Sequence, residues 1–239
     1  MHYYFITGTS RGIGKALVEK ILDRKDTYVF GYSRGCNLTH DNYYHFNIDL
    51  NNAEHVSELT FPPFIDAESI SLVNNSGALG DIGPVGALID SGIANAYLVN
   101  ALAPSILMNK FIRSYQDDKV RKVILNVSSG AGRHVIESWS AYCAAKAALD
   151  MFSQVAAAEQ NEYWKNKTHI FSIAPGVVDT HMQDEIRLTD KEYFHDVNRF
   201  IEMKNNNKLS SAEEVADKLL KVLDTPEKFD EVLLDVRNF

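Results

Sequence analysis

The first twenty-two residues constrain this chain more than any other stretch. Tyr3 to Thr7 is a short apolar run that reads as a buried strand, and the segment GTSRGIG follows it without a gap. Ile13, Ala16, Leu17 and Ile21 then recur at helical spacing, giving a strand, a glycine turn and a helix. Gly8, Gly12 and Gly14 have the spacing Gly-x-x-x-Gly-x-Gly, one residue longer than the common dinucleotide fingerprint. The physical purpose is the same: glycines let a pyrophosphate approach the backbone, and the helix start offers unpaired N–H groups. Strand-like runs recur at Tyr28–Ser33, Tyr44–Leu50, Ser69–Val73, Val120–Val127, His169–Ala174 and Glu231–Val236. Helical stretches lie between them at Leu88–Tyr115, at Trp139–Tyr163, and from a cap at Ser210 or Ser211 through Leu223. This alternation predicts an α/β fold, a doubly wound parallel sheet of about seven strands with helices on both faces. With 239 residues, 45% of them hydrophobic, one domain accounts for the whole chain.

A net charge of -8 with no basic block argues against nucleic acid or an anionic membrane as partner. Met1 leads into the first strand without a leader pattern, and no run of about 18 apolar residues is evident, so the expectation is a cytoplasmic protein with no membrane span. Cys36 and Cys143 make no disulfide framework, and the eight histidines show no ligand spacing, so no metal site is expected.

The chemistry concentrates in Asn126–Lys146. Tyr142 and Lys146 stand four apart, one turn on the same helical face. Ser129 precedes the tyrosine by thirteen residues, where a strand ends and Gly130 and Gly132 loosen the chain. A serine returning to a helical tyrosine can hold one carbonyl oxygen from two sides. Hydride transfer to a ketone places negative charge on that oxygen, which a phenolic proton donor and a hydroxyl both favour. The neighbouring ammonium is expected to draw the tyrosine pKa down from its ordinary value near ~10. A Tyr-x-x-x-Lys pair by itself is common on helices; its order relative to the other motifs gives it weight.

Thr7 with the glycine turn, NNSG at Asn74, Asn75, Ser76 and Gly77, Asn100, Ser129, the Tyr142/Lys146 pair and PGVVDT from Pro175 together resemble the short-chain dehydrogenase/reductase family over nearly the whole chain. Ser76 replaces the alanine of the family's NNAG. The resemblance implies a Rossmann-like fold with Asn100, Ser129, Tyr142 and Lys146 as catalytic tetrad, Asn100 holding a water that links Lys146 to solvent. It implies cofactor contacts from Gly8, Ser10, Arg11, Gly12, Ile13 and Gly14 around the pyrophosphate, and from Asp49 and Leu50 at the adenine. Asn74, Asn75, Ser76, Gly77, Tyr142, Lys146, Pro175, Gly176, Val178 and Thr180 complete the cofactor set, Thr180 at the nicotinamide carboxamide. Arg34 follows the second strand where NAD-binding folds carry an acid; with Arg11 it suits a 2′-phosphate, which points to NADPH/NADP. Ser129, Tyr142, Gly176 and Asp235 are the expected contacts of a small-molecule carbonyl substrate. Residues 182–208 read as a lid, Pro104 as a kink just after Asn100, and the helices of Asn100 and Tyr142 as the pairing surface of a homodimer or homotetramer.

Within the family, LGD at Leu79–Asp81, the stretch from Trp139, APGVVDTHMQ from Ala174 and the tail ending at Asp235 resemble sepiapterin reductases. That likeness implies an NADPH-dependent carbonyl reductase for a dicarbonyl or hydroxyketone, with Asp235 anchoring an aminopterin ring. Pairing of Asp235 with Arg237 is the competing role. Benzil-type reductases share much of the pattern, so an aromatic-diketone reductase is the alternative, and a noncatalytic NADPH-binding protein is the third reading.

Overall fold

The computed structural model describes residues 1–239. Seven strands, β1 (His2–Thr7), β2 (Thr27–Ser33), β3 (Tyr43–Asn47), β4 (Ser69–Asn74), β5 (Arg121–Val127), β6 (His169–Ala174) and β7 (Leu233–Asp235), form one sheet. Their order is β3-β2-β1-β4-β5-β6-β7, and every pairing is parallel. Helices α1 (Gly12–Leu22), α2 (Ala53–Glu58), α3 (Asp90–Tyr97), α4 (Ala103–Tyr115), α5 (Ser140–Tyr163), α6 (His181–Arg187), α7 (Val197–Asn205) and α8 (Ala212–Asp224) make the connections.

Alternation along β1 divides the core. Tyr4 and Ile6 pack with Leu17 and Ile21 of α1 and Leu219 and Leu220 of α8, whereas Tyr3 and Phe5 pack with Leu107 and Phe111 of α4. Both faces of the sheet are therefore covered, which is why its strands are apolar nearly throughout. The strand order reverses between β1 and β4, and the crevice beyond their C-terminal ends receives the glycine turn and the NNSG segment.

Several boundaries differ from the sequence expectation. The third strand stops at Asn47, so Asp49 sits in the following turn, where its carboxylate accepts from the Asn51 N–H at 3.0 Å. The last strand holds only Leu233–Asp235. Helix α2 has too short an apolar pattern to be seen beforehand and is fixed by the Asn52 side chain, which accepts from the Glu54 and His55 N–H groups. Of the two candidate caps for α8, Ser211 is the one used, in a reciprocal pair with Glu214.

The stretch read as one long helix from Leu88 is broken into α3, a π-helical turn at Leu98–Leu102 and α4. Pro104 has no N–H to give the turn before it, and the Ala103 N–H reaches back five residues to Leu98 O. The irregularity consequently includes Asn100 rather than following it. Asp90–Tyr115 also has the length and mean hydropathy, 1.2, of a membrane-crossing helix, contrary to the sequence expectation. In this fold Leu107, Met108 and Phe111 pack against Ile70, Leu72 and Ile124 of the sheet.

Candidate active site

The crevice is braced by amides. Asn75 Nδ2 donates to Thr7 O at 3.0 Å and Gly8 O at 3.1 Å, while Thr7 Oγ1 accepts the N–H groups of Asn75 and Ser76, each at 3.0 Å. Gly8 has φ +73°, and a methyl there would lie 2.9 Å from Asn75 Nδ2; a methyl on Gly14 would run into Gly8 O. These two glycines thus shape the turn itself. Helix α1 starts with Arg11 extended and no side chain capping it, so its first N–H groups remain available to an anion. Arg11 and Arg34 are exposed and have no ion-pair partner. Thr180, at the start of α6, comes within 3.2 Å of the position a Gly12 Cβ would take, bringing the β6 end against the glycine turn. An uncapped helix start and a turn too tight for side chains suit the pyrophosphate of a dinucleotide.

The four residues expected to be catalytic come from three elements and converge. Asn100, fully buried, donates from Nδ2 to Ala78 O at 2.6 Å and Ala96 O at 2.8 Å, and its Oδ1 accepts the Ala78 N–H. It ties the loop after β4 to the π turn. A methyl on Gly77 would lie 3.2 Å from Asn100 Oδ1 and 3.9 Å from Lys146 Nζ. Ser129 caps the 3₁₀ turn Gly130–Gly132, its hydroxyl accepting the Ala131 N–H at 3.1 Å. Tyr142 and Lys146 are buried, 5% and 3% exposed, and the ammonium stands 5.8 Å from the tyrosine ring centroid.

The electrostatics reverse one expectation. Burial pushes Tyr142 up to about 12, against a smaller lowering by the Ser129 hydroxyl. Burial also brings Lys146 down to about 8, with Asp150 opposing. The ammonium donates to Val127 O at 2.8 Å and lies over the ring instead of at the hydroxyl, so desolvation outweighs its attraction for a phenolate.

Helices α6 and α7, within the stretch read as a lid, cover the tyrosine. Trp139 stands edge-on to Tyr142 at 5.8 Å and meets Phe194 at 5.6 Å and Phe200 at 5.5 Å; Leu79, Ile186 and Val197 complete the cluster. Trp139 Nε1 is buried without an acceptor. Asp235 is held by Arg237, whose Nε donates at 2.8 Å, Nη2 at 2.6 Å and backbone N–H at 2.9 Å, and this pairing lowers the carboxyl below its ordinary range. Gly176 lies near the aliphatic part of the same arginine. Sequence reasoning did not single out Trp139, Phe194 or Phe200 as site residues, nor Asn126, whose amide accepts from Asn74 at 2.8 Å and donates to Ser153 at 2.9 Å behind the site. The aromatic content of 139–200 was the available signal, but nothing local to those residues states that they meet.

The family model described as short chain dehydrogenase matches residues 3–191. A benzil reductase ((S)-benzoin forming) of Bacillus cereus is 38% identical over 242 residues, covering 95% of this chain and 96% of its own. A sepiapterin reductase of Meriones unguiculatus is 31% identical over 161 residues, covering 65% of this chain and 58% of its own. Among solved structures, a short chain dehydrogenase/reductase from Saccharomyces cerevisiae superposes with a TM-score of 0.84 at 24% identity, covering 99% of this chain and 96% of that one.

Burying Lys146 has a measurable cost. Its folded pKa of about 8 lies below the ordinary 10.5, so the folded state disfavours the charge by about 3 kcal/mol. That cost is present in full below pH 8 and disappears as pH rises toward 10.5. Lys146→Met removes it but leaves Val127 O without its donor, for a net gain of about 1–2 kcal/mol at pH 6.5 that is gone by pH 10. Urea unfolding midpoints of the two proteins at both pH values test this; a variant less stable than the parent at pH 6.5 contradicts it.

Proposed function

The chain belongs to the short chain dehydrogenase family and is an oxidoreductase acting on C=O or CH–OH groups with a nicotinamide cofactor, and on that premise we propose NADPH-dependent reduction of an aromatic vicinal diketone as its reaction. The observation that carries this reading is the aromatic setting of Tyr142, where Trp139 stands edge-on to its ring with the buried Phe194 and Phe200 packed against Trp139, an apolar environment that favours an aryl ketone. The likeness to benzil reductase along almost the full chain supports it, as does the pairing of Asp235 with Arg237, which an aminopterin anchored at that carboxylate would have to displace.

The bound cofactor supplies the hydride. Ser129, at the mouth of β5, orients the carbonyl through its hydroxyl. Tyr142, with its pKa near 12, keeps its proton at neutral pH and gives it to the carbonyl oxygen as charge gathers there. The cation of Lys146 makes the phenolate left behind less costly, and Asn100 fixes the loop against which Lys146 packs. Helices α6 and α7 exclude water from the tyrosine. Arg34, following β2 with no acid beside it, is assigned to the 2′-phosphate together with Arg11. Exposed Tyr97 and Leu102 before α4, and Met151, Phe152 and Val155 on α5, support pairing of two copies through these helices.

Four outcomes are expected. Followed at the nicotinamide absorbance, the enzyme should oxidise NADPH faster with benzil than with sepiapterin at equal concentration, and Tyr142→Phe should lower turnover at least about 100-fold while keeping NADPH binding. A higher kcat/KM for sepiapterin favours the pterin reading, and unchanged turnover in the variant removes Tyr142 as the acid. Arg34→Ala should weaken NADPH binding by about 1.5–3 kcal/mol and leave NADH nearly unchanged, the contribution of a hydrogen bond to a charged group; equal losses for both cofactors rule out the phosphate contact. Sedimentation at micromolar concentration should give a dimer or tetramer, and a monomer there would refute the pairing surface.

A further inference from the structure

Behind the catalytic residues lies a charged cluster to which the reaction has so far assigned no role. Arg133, the residue after the Ser129 turn, donates from Nε to Asp150 Oδ2 at 2.9 Å, from Nη1 to Leu234 O at 3.0 Å and from Nη2 to Ser172 O at 3.1 Å. Ser172 donates its hydroxyl to the other oxygen of Asp150 at 2.6 Å. Asp150 is buried, 4% exposed, and stands one helical turn beyond Lys146 on α5.

We propose that Arg133 and Asp150 are positioning residues that act through Lys146, joining the Ser129 turn, the catalytic helix and the strand of Asp235 into one unit. The geometry gives each a distinct task. Strand β7 has three residues, and the contact of Arg133 with Leu234 O, alongside its contact with Ser172 O on β6, fixes the strand immediately before Asp235. Lys146 has no ion-pair partner and one hydrogen bond, to Val127 O. What faces its side chain from β5 is that carbonyl, from the π turn the uncharged amide of Asn100 across Gly77, and from its own helix the ring of Tyr142. Asp150 is the carboxylate that favours its charged form, and Arg133 neutralises part of that carboxylate. Asp235, at the end of β7, and Arg237, after it, pair with each other. The guanidinium therefore tunes how strongly Asp150 favours the charge on Lys146, while its carbonyl contacts set where the elements lie.

A purely structural staple and a positioning pair differ in what they do to Lys146. In cofactor-free protein carrying 13C at lysine Cε, the Lys146 signal is assigned by its loss in Lys146→Met and titrated by NMR. Asp150→Asn should lower its midpoint by about one unit, since an opposing charge is lost, and Arg133→Gln should raise it by about half a unit to one. Opposite signs are the signature of the proposal; midpoints that stay put, or that move together, overturn it. Should Asp150→Asn fail to fold, the upward shift in Arg133→Gln decides alone. The alkaline limit of kcat with the diketone should follow the same two directions, the part of the proposal that rests on the reductase reading. Shifted titrations without diketone turnover would defeat that reading and leave this inference standing, whereas normal turnover with unshifted titrations would defeat the inference alone.

Discussion

The structure depends on a brace between two parting strands. Where the sheet order reverses, β1 and β4 send their chains in opposite directions, and a crevice opens that parallel pairing cannot close. The Asn75 side chain spans it, donating to Thr7 O and Gly8 O, while Thr7 Oγ1 accepts two N–H groups from the far side. The glycine turn is thereby held open in front and supported behind. Because backbone carbonyls buried at such a point need donors, an apolar residue in place of Asn75 would leave the turn unsatisfied. The first turn of α1 keeps its direction, and its N–H groups their availability, through this contact.

Around that brace the site is assembled by desolvation. Tyr142 is packed into a cluster with α6, α7 and the rings of Trp139, Phe194 and Phe200, Lys146 is buried beside it, and both titrations move toward the neutral form. A neutral tyrosine is what a proton donor requires, so burial serves reduction. The lysine is different: its charge is useful and burial works against it, which gives the single carboxylate at Asp150 a consequence larger than its distance from the reacting atoms suggests. A π-helical turn at Asn100 belongs to the same economy of space, since it lets the Asn100 amide reach Ala78 O and Ala96 O together.

The alternation of strands and helices, the place of the glycine turn and the convergence of Ser129, Tyr142 and Lys146 were all legible in the sequence. Each is local. Side-chain period along β1 states which face Tyr4 and Ile6 take, a four-residue step places Tyr142 and Lys146 on one side of α5, and Pro104 announces an irregular turn within a few residues of Asn100. The cap of α8 was legible to within two serines, Ser210 or Ser211, of which Ser211 is used.

Tertiary structure alone decided the rest. Arg133 meets Leu234 across 101 residues, Trp139 meets Phe194 and Phe200 across fifty-five and sixty-one, and no periodicity connects such positions. The direction of the Tyr142 shift likewise follows from how much water the fold removes, a quantity set by helices that come later in the chain. Asp235 had two candidate roles in the sequence, ligand anchor or partner of Arg237, and the turn after β7 brings Arg237 back upon it, a contact that the sequence offered but did not fix. Neighbours in the chain encode conformation because backbone geometry repeats over a few residues. Burial and partner choice depend on which surfaces meet after folding, and a single chain read in order does not contain that meeting.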